Sequence, residues 1–227
     1  MNSRPRLVEV REKVLKQNDL LARELRAQFQ RAGVFVVSLV SSPGAGKTAL
    51  LQRVLAEMRP DFRVAALVGD LATENDAARL VQSGAQVKQI TTGTVCHLDA
   101  QMVQNALADW PLAQLEFLFV ENVGNLVCPS SYDLGEDLRL VLMSVTEGED
   151  KPLKYPTIFN TADWAVLTKR DMANAAEFDE RTALANIQAV RPGMRVHSTS
   201  AKTGQGIGQL ISAIVSARAA RAAPAAV

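Results

Sequence analysis

The sequence predicts an α/β domain: a mostly parallel sheet with helices on both faces, preceded by an N-terminal helix. Three observations carry this. Apolar, β-branched runs alternate with helix-periodic segments along most of the 227 residues, the pattern of parallel strands joined by crossover helices. The first such run, Val34 to Val40, leads into a glycine-rich turn and then a helical pattern at Ala49, Leu50, Leu51, Val54 and Leu55. Ahead of it lies a polar stretch with Val10, Val14, Leu21, Leu25 and Phe29 at helical spacing, which predicts one amphipathic helix.

In chain order, residues 1–32 are the N-terminal helical segment, helical from about Val8 to Ala32. Packing on the domain surface is its first reading and a partner-docking arm the second. Residues 33–218 form the domain. Its strands are expected at Val34–Ser41, Arg63–Val68, Val87–Ile90, Leu115–Glu121, Leu138–Thr146, Trp164–Thr168 and Arg195–Ser198. Its helices are expected at Lys47–Met58, Glu74–Ser83, Leu98–Asp109, Glu177–Val190 and Gly206–Arg221. Residues 219–227 are an alanine-rich tail expected to fray.

Composition excludes several classes. A net charge of +1 with interspersed acids and bases argues against nucleic acid or an anionic membrane as the main partner. No apolar stretch reaches the length of a membrane span. No secretory signal opens the chain. With two cysteines, these features predict a reducing, cytoplasmic setting, where cysteine serves metal binding or catalysis more often than disulfides.

The segment Ser41-Ser42-Pro43-Gly44-Ala45-Gly46-Lys47-Thr48 has the form of a phosphate-binding loop, with serine at position 41 where the strict pattern has glycine. Past Pro43, which has no N–H, the backbone N–H groups of Gly44–Thr48 would converge on phosphate oxygens at a helix N-terminus. Lys47 would reach the β/γ-phosphates and the Thr48 hydroxyl would ligate Mg²⁺. In a parallel sheet, ligands bind beyond the carboxyl ends of strands. Asp70 and Glu121 end two strands there, so either could hold Mg²⁺ or orient a hydrolytic water.

The base is read from two later elements. Thr168-Lys169-Arg170-Asp171 follows a strand and resembles the Asn-Lys-x-Asp element of GTPases, with threonine in place of asparagine. Asp171 can accept two hydrogen bonds from guanine N1–H and N2, which adenine does not offer. The Lys169 stem can cover the base. Ser200-Ala201-Lys202 resembles the loop that closes over guanine. In this order the two favour GTP over ATP.

Cys96 and His97 fall in one expected loop and Cys128 in another, after Glu121. Cysteine commonly behaves as a small buried hydrophobe, and that reading stands beside the alternative. The alternative is a soft metal site, because two thiolates and an imidazole suit Zn²⁺, Ni²⁺ or copper.

The motifs together, Ser-Ser-Pro-Gly-Ala-Gly-Lys-Thr, Gly69-Asp70 with Asn75-Asp76-Ala77, Cys96-His97-Leu98-Asp99-Ala100, Glu121 through Pro129 and Glu149 through Pro156, resemble the HypB family, GTPases that help insert nickel into nickel–iron hydrogenase. The resemblance implies a P-loop NTPase of the SIMIBI type. It also implies a GTP-dependent homodimer with Ni²⁺ or Zn²⁺ held where subunits meet, by Cys96, His97 and Cys128. A nickel-binding HypA-like maturation partner and the hydrogenase large subunit are the implied partners. Some members carry an N-terminal Cys- or His-rich nickel segment, which this sequence does not show. The rival readings are a urease-accessory GTPase, which carries Cys-Pro-His, and a partitioning ATPase, which places a lysine where Ser42 stands. A small-molecule kinase is the third.

Overall fold

The computed structural model describes residues 6–71 and 75–222. Seven strands, β1 (Phe35–Ser41), β2 (Val64–Asp70), β3 (Gln86–Thr91), β4 (Phe117–Glu121), β5 (Leu138–Ser144), β6 (Trp164–Thr168) and β7 (Arg195–Ser198), form one sheet in the order β3-β2-β4-β1-β5-β6-β7. Every neighbouring pair is parallel. Among the described residues eight helices accompany them: α1 (Arg6–Ala32), α2 (Lys47–Met58), α3 (Asn75–Val81), α4 (Ala100–Leu107), α5 (Lys151–Lys154), α6 (Pro156–Thr161), α7 (Glu180–Val190) and α8 (Ile207–Ala222).

The burial pattern explains the sequence pattern. All residues of β1, β4 and β5 are buried, as central parallel strands covered on both faces require, so they read as mostly apolar runs rather than alternating ones. Leu50, Leu51, Val54 and Leu55 of α2 pack with Ile207, Leu210 and Ile214 of α8 against Val37, Leu39 and Phe119 on one face. On the other, Ala22, Leu25 and Phe29 of α1 join Val103 and Leu107 of α4 against Val36, Leu118 and Val120. Farther along that face, Ile158, Phe159, Ala183 and Ile187 cover Val141, Ala165 and Leu167. The buried Arg139 guanidinium is matched, donating to Glu136 at 2.6 Å and to the Tyr132 carbonyl at 2.7 Å.

Several boundaries differ from the expectation, and caps explain most of them. The fifth strand stops at Ser144 because the Ser144 hydroxyl and Glu147 form a reciprocal capping box around a 3-10 turn, Val145–Glu147. Similarly, α4 starts at Ala100 because Asp99 accepts from the Met102 N–H at 2.8 Å, and α7 starts at Glu180 behind the Asp179 cap. A further 3-10 turn, Leu112–Gln114, delays β4 to Phe117. Helices α5 and α6 were not expected. Each opens with proline in its first turn, where the missing N–H costs nothing, but each is too short to show a period. The last helix, expected at Gly206–Arg221, runs as α8 to Ala222, through the first residues of the stretch expected to fray, and Arg221 donates to the Val34 carbonyl at 2.9 Å. Residues 223–227 and Glu74 lie outside the described residues. Among the described residues no helix is long and apolar enough to cross a membrane.

The chain changes direction across the sheet at β1. From β1 it moves toward β3, returns to β4, and then crosses to β5. The carboxyl ends of β1, β2 and β4 therefore border one crevice, which is where such sheets bind ligands.

Candidate functional site

The turn from β1 into α2 is shaped by Gly46, which caps α2 in the left-handed region at φ +91°, a conformation costly for any residue with a Cβ. That turn aims the first N–H groups of α2 into the crevice. Lys47, only 8 % exposed, donates from Nζ to Ser41 Oγ at 2.9 Å. The serine that departs from the strict motif thus holds the loop lysine in place. Two residues brace the loop from β6: Thr168 Oγ1 donates to the Ala45 carbonyl at 2.6 Å and Lys169 Nζ to the Gly44 carbonyl at 2.7 Å. Threonine in place of asparagine therefore keeps a bond to the phosphate loop.

A cleft of about 430 Å³ opens beside this loop, bounded by Lys47, Thr48, Asp70, Asp76, Arg79 and Glu121. Thr48 Oγ1 donates to Glu121 Oε1 at 2.7 Å. Glu121 is 3 % exposed, and its Oε2 is a buried acceptor without a hydrogen bond among the described residues. Burial pushes the Glu121 carboxyl up to about 7, opposed by the Thr48 hydrogen bond and the Lys47 charge. Burial likewise pulls Lys47 down, opposed by Glu121, Asp76 and Glu147. An unmatched carboxylate oxygen beside a hydroxyl and further carboxylates is a donor set that fits Mg²⁺. Asp76 and Arg79 were assigned no role from sequence. The signal was their place on the first helix after Asp70, but that helix starts beyond a stretch with no strong period.

On the far side of the loop, Lys169, Asp171, Ala201 and Lys202 border a second cleft of about 190 Å³ that reaches Gly46. Ser200 Oγ donates to Asp171 Oδ1 at 2.5 Å. The two loops are laced by the Arg170 N–H to the Thr199 carbonyl at 3.0 Å and the Thr199 N–H to the Leu167 carbonyl at 2.7 Å. Lys169 adopts φ +57°, the sparsely allowed left-handed region for a residue with a side chain, a form of strain that concentrates at functional sites.

The cysteines converge. Cys96 Sγ lies 3.0 Å from Cys128 Sγ and 4.0 Å from His97 Nδ1, and one ligand atom from each residue falls within 4.8 Å of the others. No disulfide joins the thiols. Consecutive residues in a strand point to opposite faces. Cys96 and His97 instead occupy a loop between β3 and α4, so both face the same point. That loop is pinned just beyond His97, where the buried Leu98 N–H donates to Asn122 Oδ1 at 2.9 Å. The His97 ring lies 4.0 Å from that of Tyr132. Burial lowers its pKa against the pull of Asp99, which favours the neutral, metal-ligating imidazole at neutral pH. The three sit at the same rim as the phosphate loop, because the segment from Glu121 to Cys128 connects the two sites directly.

A family model described as the CobW/HypB/UreG nucleotide-binding domain matches residues 35–198. The hydrogenase maturation factor HypB of Rhizobium leguminosarum bv. viciae is 45% identical over 205 residues, which are 90% of this chain and 69% of that protein. This chain belongs to the HypB family. HypB of Escherichia coli K12 is 43% identical over 218 residues, 96% of this chain and 75% of that one. The crystal structure of HypB from Helicobacter pylori in complex with nickel superposes with a TM-score of 0.86 at 38% identity, covering 93% of this chain and 99% of that chain. The signal recognition particle protein of Aeropyrum pernix, in complex with GDP, matches with a TM-score of 0.57 at 14% identity, over 82% of this chain and 49% of that one. That likeness concerns the fold alone, a SIMIBI-class P-loop architecture shared with HypB. Membership in HypB sets aside the partitioning-ATPase and kinase readings.

Proposed function

We propose that this protein is a GTP-hydrolysing nickel metallochaperone that assists nickel insertion into a hydrogenase. The observation that carries the reading is the Cys96–His97–Cys128 cluster, its ligand atoms within 4.8 Å of one another, on the loop that continues from the phosphate-side residue Glu121. In this reading Pro43, Gly44, Ala45 and Gly46 wrap the phosphates, and Lys47 neutralises charge developing on the β/γ oxygens. Thr48, Asp70 and Glu121 would hold Mg²⁺, which supplies charge neutralisation at the phosphates when bound. The catalytic set is thus Lys47, Thr48, Asp70 and Glu121, acting by positioning and electrostatics. Asp171 reads guanine, the Lys169 stem covers the base, and Ser200, Ala201 and Lys202 close the pocket.

Nickel is cargo, ligated by Cys96, His97 and Cys128, and zinc competes for the same soft donors. Nucleotide state couples to cargo through the segment from Glu121 to Cys128, in a GTP-dependent homodimer in the cytoplasm. The domain 33–218 carries this machinery, and α1 (Arg6–Ala32) supports it. A HypA-like protein and the hydrogenase large subunit are the partners proposed by family membership.

Two measurements test the reading. The purified chain should hydrolyse GTP in preference to ATP. It should also bind nickel in equilibrium dialysis, with the Cys96→Ala/Cys128→Ala variant losing that nickel while retaining GTPase activity. A chain that turns over ATP as readily, or a double variant with undiminished nickel affinity, would sink it.

A further inference from the structure

Besides Asn122, which accepts the Leu98 N–H, a second side chain that is not a ligand joins the two metal-bearing loops. Asn125 Nδ2 donates to the Cys96 carbonyl at 3.4 Å. Its Oδ1 accepts from the Val127 N–H at 2.8 Å and from the Cys128 N–H at 3.4 Å. A single planar amide therefore sets the backbone at both cysteines at once. Aspartate would lack the donor and alanine would lack both groups.

The residue before it sits on the phosphate loop. A Cβ placed on Gly124 would fall 2.9 Å from Pro43 Cα and 3.0 Å from Pro43 N, so only glycine lets these two backbones touch. Asn125 thus takes its position from the phosphate loop on one side and hands it to the thiols on the other. Hydrogen bonds of this kind, one layer beyond the ligands, fix ligand orientation and strongly affect metal affinity.

We propose that Asn125 is the positioning residue of the Cys96–His97–Cys128 site, holding the two sulfur atoms at ligating separation in register with the phosphate loop. The inference rests on the metal-binding reading above and goes beyond it by assigning the geometry of the site to a non-ligand.

The test uses the full chain and Ni²⁺ alone. Nickel affinity is measured by chelator competition, together with the thiolate-to-nickel charge-transfer absorption and the affinity for a GTP analogue. Asn125→Ala should weaken nickel by about 10–100-fold, the range for residues of this kind, and should shift the charge-transfer band with GTP-analogue affinity unchanged. Asn125→Asp, which keeps the acceptor and loses the donor, should fall between Asn125→Ala and the native chain. Wild-type affinity and spectrum in Asn125→Ala, while Cys96→Ala/Cys128→Ala loses nickel, overturns the inference and leaves the metal site standing. A native chain that binds no nickel overturns both. If Asn125→Ala fails to fold, Asn125→Asp decides: native affinity and spectrum refute the proposal. Loss of nucleotide binding together with nickel in both variants marks Asn125 as a general structural residue and also refutes it.

Discussion

Glu121 shows how a single side chain can be stabilised in the wrong protonation state for its neighbours. It is buried beside Lys47 and Thr48, with one oxygen bonded and the other unmatched. Its folded-state pKa, about 7 against an ordinary 4.5, lies above the unfolded value. The neutral acid is therefore favoured by folding. That contribution is full below about pH 4.5 and is lost as pH rises through about 7. Glu121→Gln keeps an acceptor for Thr48 and cannot ionise. Its stability relative to the native chain should then grow between pH 4.5 and pH 8 by on the order of 3 kcal/mol. Urea denaturation in chelator across that range reads the difference, and a constant difference would refute the assigned shift. Lys47 and Thr48 stood out at this scale because the phosphate-loop motif has a fixed spacing, whereas Cys96, His97 and Cys128 were grouped in the sequence by the family resemblance and not by their spacing; the structure brings their ligand atoms within 4.8 Å of one another. The Lys47–Ser41 contact was not legible. It depends on where a buried amine finds an acceptor, and a one-residue departure from a motif does not announce its compensation.

Among the elements, α1 has the most to say about how the rim is held. Its Asn18, 5 % exposed, donates from Nδ2 to the Asp133 carbonyl at 2.9 Å and accepts the Ala100 N–H at Oδ1 at 2.9 Å. Ala100 opens α4, where helix N–H groups have no partner of their own, and α4 directly follows the Cys96–His97 loop. Asp133 follows the turn begun by Cys128. One amide on α1 therefore anchors the chain just beyond both halves of the cysteine cluster. Asn18→Ala strands the buried Ala100 N–H and the part-buried Asp133 carbonyl and should cost about 1–3 kcal/mol, with the urea midpoint lowered and the slope unchanged. A midpoint equal to that of the native chain would show that water or relaxation replaces both bonds. The helix itself was plain from its apolar spacing at Leu21, Leu25 and Phe29. Its polar anchor was hidden, since a lone asparagine on a charged helix looks like any solvated residue. The short α5 and α6 and the capped ends of β5 and α4 were missed for a related reason: caps and prolines act over two or three residues, below the window in which periodicity can be seen.

At the scale of the molecule, the alternation of strands and helices foretold a parallel sheet, but not which strands would be neighbours. That order depends on long-range pairing, and it is what brings the loops after β1, β3 and β4 to one rim. The same rim bears on assembly. Each chain offers three soft donors, Cys96, His97 and Cys128, one fewer than a closed four-coordinate shell requires. Beside them Val127 is 64% exposed, an apolar side chain next to a ligand at an open edge. A two-fold axis through this edge would bring six donors and two such valines together, enough for one shared ion. Light scattering on the chain with Mg²⁺, a non-hydrolysable GTP analogue and Ni²⁺ should then give twice the single-chain mass, with one nickel per two chains by elemental analysis. GDP in place of the analogue should return the mass toward that of one chain, as expected if the close approach of Gly124 to Pro43 couples the γ-phosphate to the cysteine loop. A single-chain mass in every nucleotide, with one nickel per chain, would mean that each site closes its shell with water and that the open edge serves some other purpose.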